Sequence, residues 1–354
     1  MEKALAGLVV AAGVSYLATP WVRRVAFRLG AVDRPDARKV HREPMPRLGG
    51  VAVYAAFVAA VIVAVPKSLE VLGLLLGLTL VTLVGVADDV RGLSPRLKLA
   101  GQVVSALALL PFGIEIYFVT NPLNGHLVDL GWLGLPLTVF WVVAVTNAVN
   151  LIDGLDGLAG GVSLIAALTM AAVGFVQWKF FGAADQQEVI LLALLLAAAL
   201  LGFLRHNFHP ASIFLGDAGS MLLGYALAAM AVMGLTKSVT AVAVVLPLLI
   251  LGIPLLDTFM AILRRYFNRR PIFAPDKEHL HHQLLALGLS HRQAVLTIYG
   301  VSALLGFCAV FLVFLAVSHA LLLLAVLAAG IVSAASRLGL VGRQVGRKGQ
   351  VKEM

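Results

Sequence analysis

The chain has 354 residues, 60% of them hydrophobic and only 13% charged, with a formal net charge of +9 and a mean hydropathy of +0.97. A water-soluble domain carries about 25% charged residues, so this composition excludes a soluble fold and points to a polytopic membrane protein. The lone cysteine, Cys308, excludes an internal disulfide, and basic residues scattered between apolar runs argue against a nucleic-acid surface.

Backbone groups in hydrocarbon must pair within their own segment or in a closed barrel. The apolar runs show no period-two alternation, so helices are expected. Their lengths predict an all-α polytopic integral membrane protein of about eleven transmembrane helices. These fall at 4–22, 48–65, 70–87, 97–112, 134–151, 158–176, 188–204, 212–233, 240–263, 294–316 and 319–336. Arg23, Arg24 and Arg28 follow the first run rather than precede it, the reverse of a secretory signal, so that run is read as a retained span.

All Lys and Arg except Lys3, Lys67, Lys179 and Lys237 lie in alternate connections and the tail. This asymmetry predicts an N-terminus outside and a C-terminus in the cytoplasm. Residues 1–336 read as a single transmembrane catalytic domain. Residues 337–354 read as a basic cytoplasmic tail that touches anionic lipid. The outer connection 113–133 holds Glu115, His126 and Asp129 but no Lys or Arg.

Polar residues gather at the ends of these spans. Arg38, Lys39, His41 and Arg47 form the densest basic patch, stiffened by Pro44 and Pro46. It suits an anionic nucleotide, with lipid headgroup anchoring as the alternative. Asp88 and Asp89 end the third span, where a helix C-terminus disfavours anions by about 0.3–1 kcal/mol each. They suggest a cation site or a general base. Arg91, Arg96 and Lys98 follow as phosphate contacts. Asn147, Asn150, Asp153 and Asp156 recur every third residue and share one helical face. Gly154 and Gly157 would admit close approach of a ligand; a cap of the next helix is the plainer role for Asp156.

Asp217 lies near the start of the eighth span, after Arg205, His206, Asn207 and His209 and before Ser220. Carboxylate oxygens are preferred ligands of Mg²⁺. Asp257 falls inside the ninth span, either functional or paired to a basic neighbour. His279, His281 and His282 occupy the largest inner connection, after Arg264, Arg265, Arg269 and Arg270 and beside Asp276, Lys277 and Glu278. Phosphate contact and proton handling suit them better than a closed zinc site. Together these clusters describe a metal-assisted active site at one membrane face. An ion-coupled transporter would instead place its acids near the midplane, where only Asp257 is deep.

With these motifs the chain resembles, over nearly its whole length, the polyprenyl-phosphate N-acetylhexosamine-1-phosphate transferases. The stretch from Pro275 to Leu285, then Gly288 and Ser290-His-Arg292, is similar to the N-acetylglucosamine branch, in glycosyltransferase family 4. So is Arg38-Lys39-Val40-His41 with Pro46-Arg47-Leu48-Gly49-Gly50. The phospho-N-acetylmuramoyl-pentapeptide branch of peptidoglycan synthesis usually has three consecutive histidines, where Leu280 interrupts them here. The resemblance implies attack of undecaprenyl phosphate on the β-phosphorus of UDP-N-acetylglucosamine, giving the lipid pyrophosphoryl sugar and UMP. It implies a multi-pass protein of the bacterial inner (plasma) membrane with a cytoplasmic active site. It implies Mg²⁺, with Mn²⁺ as the alternative, at Asp217 and Asp153. Asp88 would be base or orienting carboxylate for the lipid phosphate, with Asp89 nearby, and Asp153 and Asp156 would line the nucleotide or metal region. His279, His281 and His282 would contact the diphosphate. Substrate contacts would come from Arg38, Lys39, His41, Arg47, Lys98, Asn147, Asn150, Asn207 and Arg265. A homodimer is implied, with a product entering teichoic acid, lipopolysaccharide O-antigen or related surface glycans.

Overall fold

Each apolar run folds as a helix because hydrocarbon offers no partner to a backbone N–H outside its own segment. The computed structural model describes residues 2–33, 44–121, 126–236, 245–267, 269, 279–315 and 317–337. Its helices are α1 (Glu2–Leu29), α2 (Gly49–Ala64), α3 (Leu69–Arg91), α4 (Pro95–Leu107), α5 (Gly134–Ile152), α6 (Leu158–Phe181) and α7 (Gln186–Asn207). They continue with α8 (Gly216–Thr236), α9 (Val245–Ile250), α10 (Gly252–Phe267), α11 (Leu280–Ala286), α12 (His291–Leu312) and α13 (Val317–Arg337). Two small antiparallel hairpins interrupt the all-helical plan. In one, β1 (Val32–Asp33) pairs with β2 (Met45–Pro46); in the other, β3 (Phe118–Thr120) pairs with β4 (Leu127–Asp129).

Seven stretches among the described residues are long and apolar enough to cross a bilayer: α1, 131–152, α3, α6, α7, 216–234 and α12. The fold is that of a polytopic helical membrane protein, but three of the expected spans differ. The second, α2, has only 16 residues, and α4 stops after 13. A 3₁₀ turn at Leu110–Phe112 carries Pro111 and ends in left-handed Gly113, which redirects the chain where the fourth span was expected to continue. The ninth is broken at Leu251 into α9 and α10. Pro254 lacks the N–H that would bond the Ile250 carbonyl, and its ring crowds that group. The last keeps its helix, as α13 runs unbroken from Val317 to Arg337. Conversely, α1 runs past the expected end at 22 to include all three arginines. Arg38, Lys39, His41, Arg270, Asp276, Lys277, Glu278 and the tail from 338 lie outside the described residues.

A helix apolar on every face belongs inside a bundle, and α8 is that helix. Nearly every side chain from Ala218 to Met233 is fully buried, and α8 packs against α2, α3, α5, α6 and α7. Helices in lipid gain by close backbone approach through small residues. A Cβ added to Gly50 of α2 would lie 2.1 Å from the Cα of Gly219, and one on Gly85 of α3 would lie 2.4 Å from the Cα of Ala218. One on Gly224 would lie 2.6 Å from the Cα of Thr146 in α5. These contacts set the N-terminus of α8 against the C-terminus of α3. Backbone bonds lace the two lead-in segments together. Phe214 N–H donates to the Pro46 carbonyl (2.8 Å), Gly49 N–H to that of Phe214 (3.0 Å) and Gly50 N–H to that of Leu215 (2.8 Å).

Candidate active site

Asp88 and Asp89 occupy the last turn of α3, which ends on left-handed Gly92. Asp89 is only 2% exposed. Its carboxylate accepts the backbone N–H groups of Asp217 (3.0 Å) and Ala218 (2.9 Å). It therefore caps the N-terminus of α8 from another helix, where the dipole favours an anion. This resolves the apparent penalty of an acid at a helix C-terminus: what α3 disfavours, α8 rewards. Arg47 Nε lies 3.7 Å from the Asp89 carboxylate, and its NH1 lies 3.9 Å from Asp33. The guanidinium expected to meet a nucleotide is thus engaged with α3. Removing the cap leaves two buried donors unsatisfied, at about 1–3 kcal/mol each. Asp89→Ala is therefore expected to lower the melting temperature by several degrees. A melting temperature equal to the parent's would contradict the cap.

The neighbouring acid faces the other way. Asp88 accepts the Leu93 N–H (2.7 Å) and meets Lys98 Nζ (2.9 Å), and the same ammonium lies 2.5 Å from Asp217 Oδ1. Lys98 sits in the first turns of α4, which Ser94 caps through the Leu97 N–H. One cationic group thus spans carboxylates that lie far apart in sequence, held at the meeting point of α3, α4 and α8.

Asp153 ends α5 in the turn that leads to α6. It is partly exposed; its partial burial and the charges of Asp217, Asp89 and Asp156 push its carboxyl up to about 8. Next to it, Gly154 has no room for a side chain, because a Cβ would lie 2.2 Å from His281 Nε2. The histidine segment therefore packs directly on the Asp153 turn. Its anchor is Asp257 of α10, which pairs with His279 Nδ1 (2.9 Å) and accepts the Leu280 N–H (2.8 Å). Of the two readings open for Asp257, the structure shows pairing, and the partner is His279. The His279 and His281 rings stack near-parallel at 6.0 Å, and His282 lies 4.2 Å from His281.

His281 Nε2 is buried without a hydrogen-bond partner. Burial, then the charge of His282, lowers its pKa to about 4. The folded value lies below the ordinary value of 6.5, so the neutral ring contributes stability above pH 6.5 that is lost as pH falls to about 4. His281→Gln is expected to flatten the fall of melting temperature over that window. An unchanged pH profile in the variant would assign the acid sensitivity elsewhere.

Other expected contact residues link structural elements. Asn147 pairs with Gln102 of α4 (2.6 Å), and Ser220 of α8 donates to Asn150 (2.7 Å). Asn207 accepts the Gly157 N–H (3.2 Å) and donates to the Ile213 carbonyl (2.9 Å). Asp156 does not cap α6; it accepts from His209 Nδ1 (2.8 Å) and the Ala211 N–H (3.1 Å). Arg264 and Arg265 lie in the last turn of α10. Gln102 and Tyr299, whose hydroxyl donates to the Gly157 carbonyl at 2.5 Å, escaped the sequence reading. A polar side chain inside an apolar run was the signal for both.

The structure thus joins Asp88, Lys98 and Asp217 directly and brings Asp153 within electrostatic reach of Asp217 and Asp89. Asp88, Asp153 and Asp217 offer hard oxygen donors, and Lys98 marks a position where positive charge is held between two of them. Such a set fits Mg²⁺, which takes one or two carboxylates and completes its shell with water and substrate phosphates.

The sequence has counterparts among known proteins. The family model described as "Glycosyl transferase family 4" matches residues 71–235. A Bacillus subtilis protein named "Probable undecaprenyl-phosphate N-acetylglucosaminyl 1-phosphate transferase" is 42% identical over 304 residues, 84% of this chain and 83% of that one. The decaprenyl-phosphate N-acetylglucosaminephosphotransferase of Mycolicibacterium smegmatis is 38% identical over 322 residues, 84% and 79% of the two chains. A phospho-N-acetylmuramoyl-pentapeptide-transferase of Moorella thermoacetica is 33% identical over 338 residues, 88% and 99%. Similarity to these transferases over most of the chain, together with the family match over the segment from α3 to α8, gives the assignment: this chain belongs to glycosyl transferase family 4, the family its loop motifs resemble.

Proposed function

We propose that the protein transfers N-acetylglucosamine-1-phosphate from UDP-N-acetylglucosamine to undecaprenyl phosphate at the cytoplasmic face of a bacterial plasma membrane. The observation that carries this reading is Lys98 Nζ lying between Asp217 and Asp88, in a centre braced by Asp89. Phosphoryl transfer needs positioning and charge neutralisation more than covalent chemistry from the protein. An oxygen of the lipid phosphate forms the new bond to the β-phosphorus. The bond from that phosphorus to the bridging oxygen breaks, and UMP leaves with the electron pair.

Asp88, fixed by the Leu93 N–H, orients the incoming lipid phosphate together with Lys98. Asp217 and Asp153 would hold Mg²⁺, which supplies charge stabilisation to the transferring and leaving oxygens. His281, neutral and packed against Gly154, would contact the diphosphate through a ring nitrogen that has no hydrogen-bond partner. The helices outside this centre leave Leu83, Phe140 and Phe307 exposed, a surface suited to lipid, so the polyprenyl chain would stay in the bilayer while its phosphate reaches the loops. The product is the first lipid-linked intermediate of a surface glycan such as a teichoic acid or O-antigen.

Purified protein in liposomes containing undecaprenyl phosphate, given radiolabelled UDP-N-acetylglucosamine and Mg²⁺, should form labelled lipid and release UMP. Labelled lipid formed only from UDP-N-acetylmuramoyl-pentapeptide would move the protein to the peptidoglycan branch. The 33% identity to the Moorella transferase makes that the second reading. The four-residue pattern His279-Leu280-His281-His282 and the higher identity to the two N-acetylglucosamine transferases favour the first.

A further inference from the structure

Asp156, His209 and His291 form a cluster beside the transfer centre, with ligand types that differ from those of its carboxylates. One ligand atom from each side chain lies within 4.8 Å of the other two. The three residues come from separate places in the chain: the turn before α6, the connection between α7 and α8, and the first residue of α12. His209 Nδ1 lies 2.8 Å from Asp156 Oδ2, and the His209 and His291 rings stack with centroids 4.3 Å apart. Both ring nitrogens of His291 are buried without a hydrogen bond of ordinary geometry, with the Asp156 backbone alongside. A buried polar group without a partner calls for one. Hydrogen bonding explains half of this cluster; His291 is left over.

We propose that Asp156, His209 and His291 form a second metal site, for a transition-metal cation of the Zn²⁺ class. Two imidazoles select against Mg²⁺, which prefers oxygen, and suit Zn²⁺, which accepts nitrogen and carboxylate oxygen together. Three protein ligands leave one tetrahedral position for water. The carboxylate is already oriented by the Ala211 N–H at 3.1 Å, the kind of outer contact that fixes a ligand. Binding exchanges the His209–Asp156 hydrogen bond for bonds to the cation and gives His291 the partner it lacks. The site staples three connections: the Asp153–Gly157 turn, the segment leading to Asp217, and the start of α12. It shares no ligand with the carboxylates around Lys98, although Asp156 lies in the same turn as Asp153 and acts on its charge.

The test uses the full-length protein in detergent, stripped with a chelator, equilibrated with Zn²⁺ in excess Mg²⁺, and then desalted. Bound zinc is measured by mass spectrometry, and Co²⁺ is used in parallel for its tetrahedral absorption bands. The expected result is one equivalent of zinc per chain in wild type and in Asp217→Asn. His209→Ala and His291→Ala should weaken zinc binding by about tenfold or more. Zinc should also raise the melting temperature of wild type but not of His291→Ala. Should His209→Ala fail to give a monodisperse peak, His291→Gln carries the comparison. Wild type that retains no stoichiometric zinc, or His291→Ala and His291→Gln that retain as much as wild type, would overturn the site.

Discussion

Asp217→Asn is expected to cut transfer of labelled sugar phosphate to lipid by about a hundredfold or more while leaving the protein folded. The separation follows from how the residue is used. Its backbone N–H is what Asp89 caps, whereas its carboxylate meets Lys98. Changing the side chain to an isosteric amide keeps the cap and the helix start. It removes the negative charge that, in the proposed function, would hold Mg²⁺ together with Asp153. The assay pairs labelled lipid product with a melting curve. Near-normal turnover in a folded variant would remove Asp217 from the cation site.

Gly50→Ala is expected to have the largest effect on folding, about 3 kcal/mol or more. The added methyl would stand 2.1 Å from both the Cα and the N of Gly219, so no side chain can turn aside to make room. The backbones of α2 and α8 would have to part, and the lacing of 46–50 to 214–215 would open with them. Gly13→Ala is the control. Nothing lies within 4 Å of its Cβ position, and alanine is the better helix former by about 1 kcal/mol. Monodispersity after heating should collapse for Gly50→Ala and hold for Gly13→Ala. Equal survival of both would show that the two helices are not packed backbone to backbone.

Helix type was legible in the chain because long apolar runs without alternation leave few choices in lipid. So was the gathering of Asp88, Asp153 and Asp217, since each lies at a span end that the alternation of Lys and Arg puts on one face. Their neighbours were not legible. Asp88 and Asp89 look equivalent in sequence, yet one meets Lys98 while the other is buried as the cap of a helix well over a hundred residues away. A carboxylate's acceptors depend on which backbone N–H groups the fold brings near, and that is a tertiary property.

The three asparagines suffered the same ambiguity. Asn147, Asn150 and Asn207 carried the signal of polar groups within apolar runs, but a ligand and a neighbouring helix satisfy such groups equally well. The centrality of α8 was hidden because its composition matches that of helices facing lipid. The break at Leu251 was written in Pro254 but masked by the surrounding apolar run. Span number was the weakest reading, because hydropathy does not record where a run of apolar residues stops being one helix.

The most direct test of a cation-assisted transfer centre built on Asp88, Lys98, Asp153 and Asp217 is the rate of lipid labelling from UDP-N-acetylglucosamine before and after removal of divalent cations. The account predicts that chelation brings transfer to background and that Mg²⁺ restores it in proportion to its binding. Full transfer persisting in the chelated protein would contradict it.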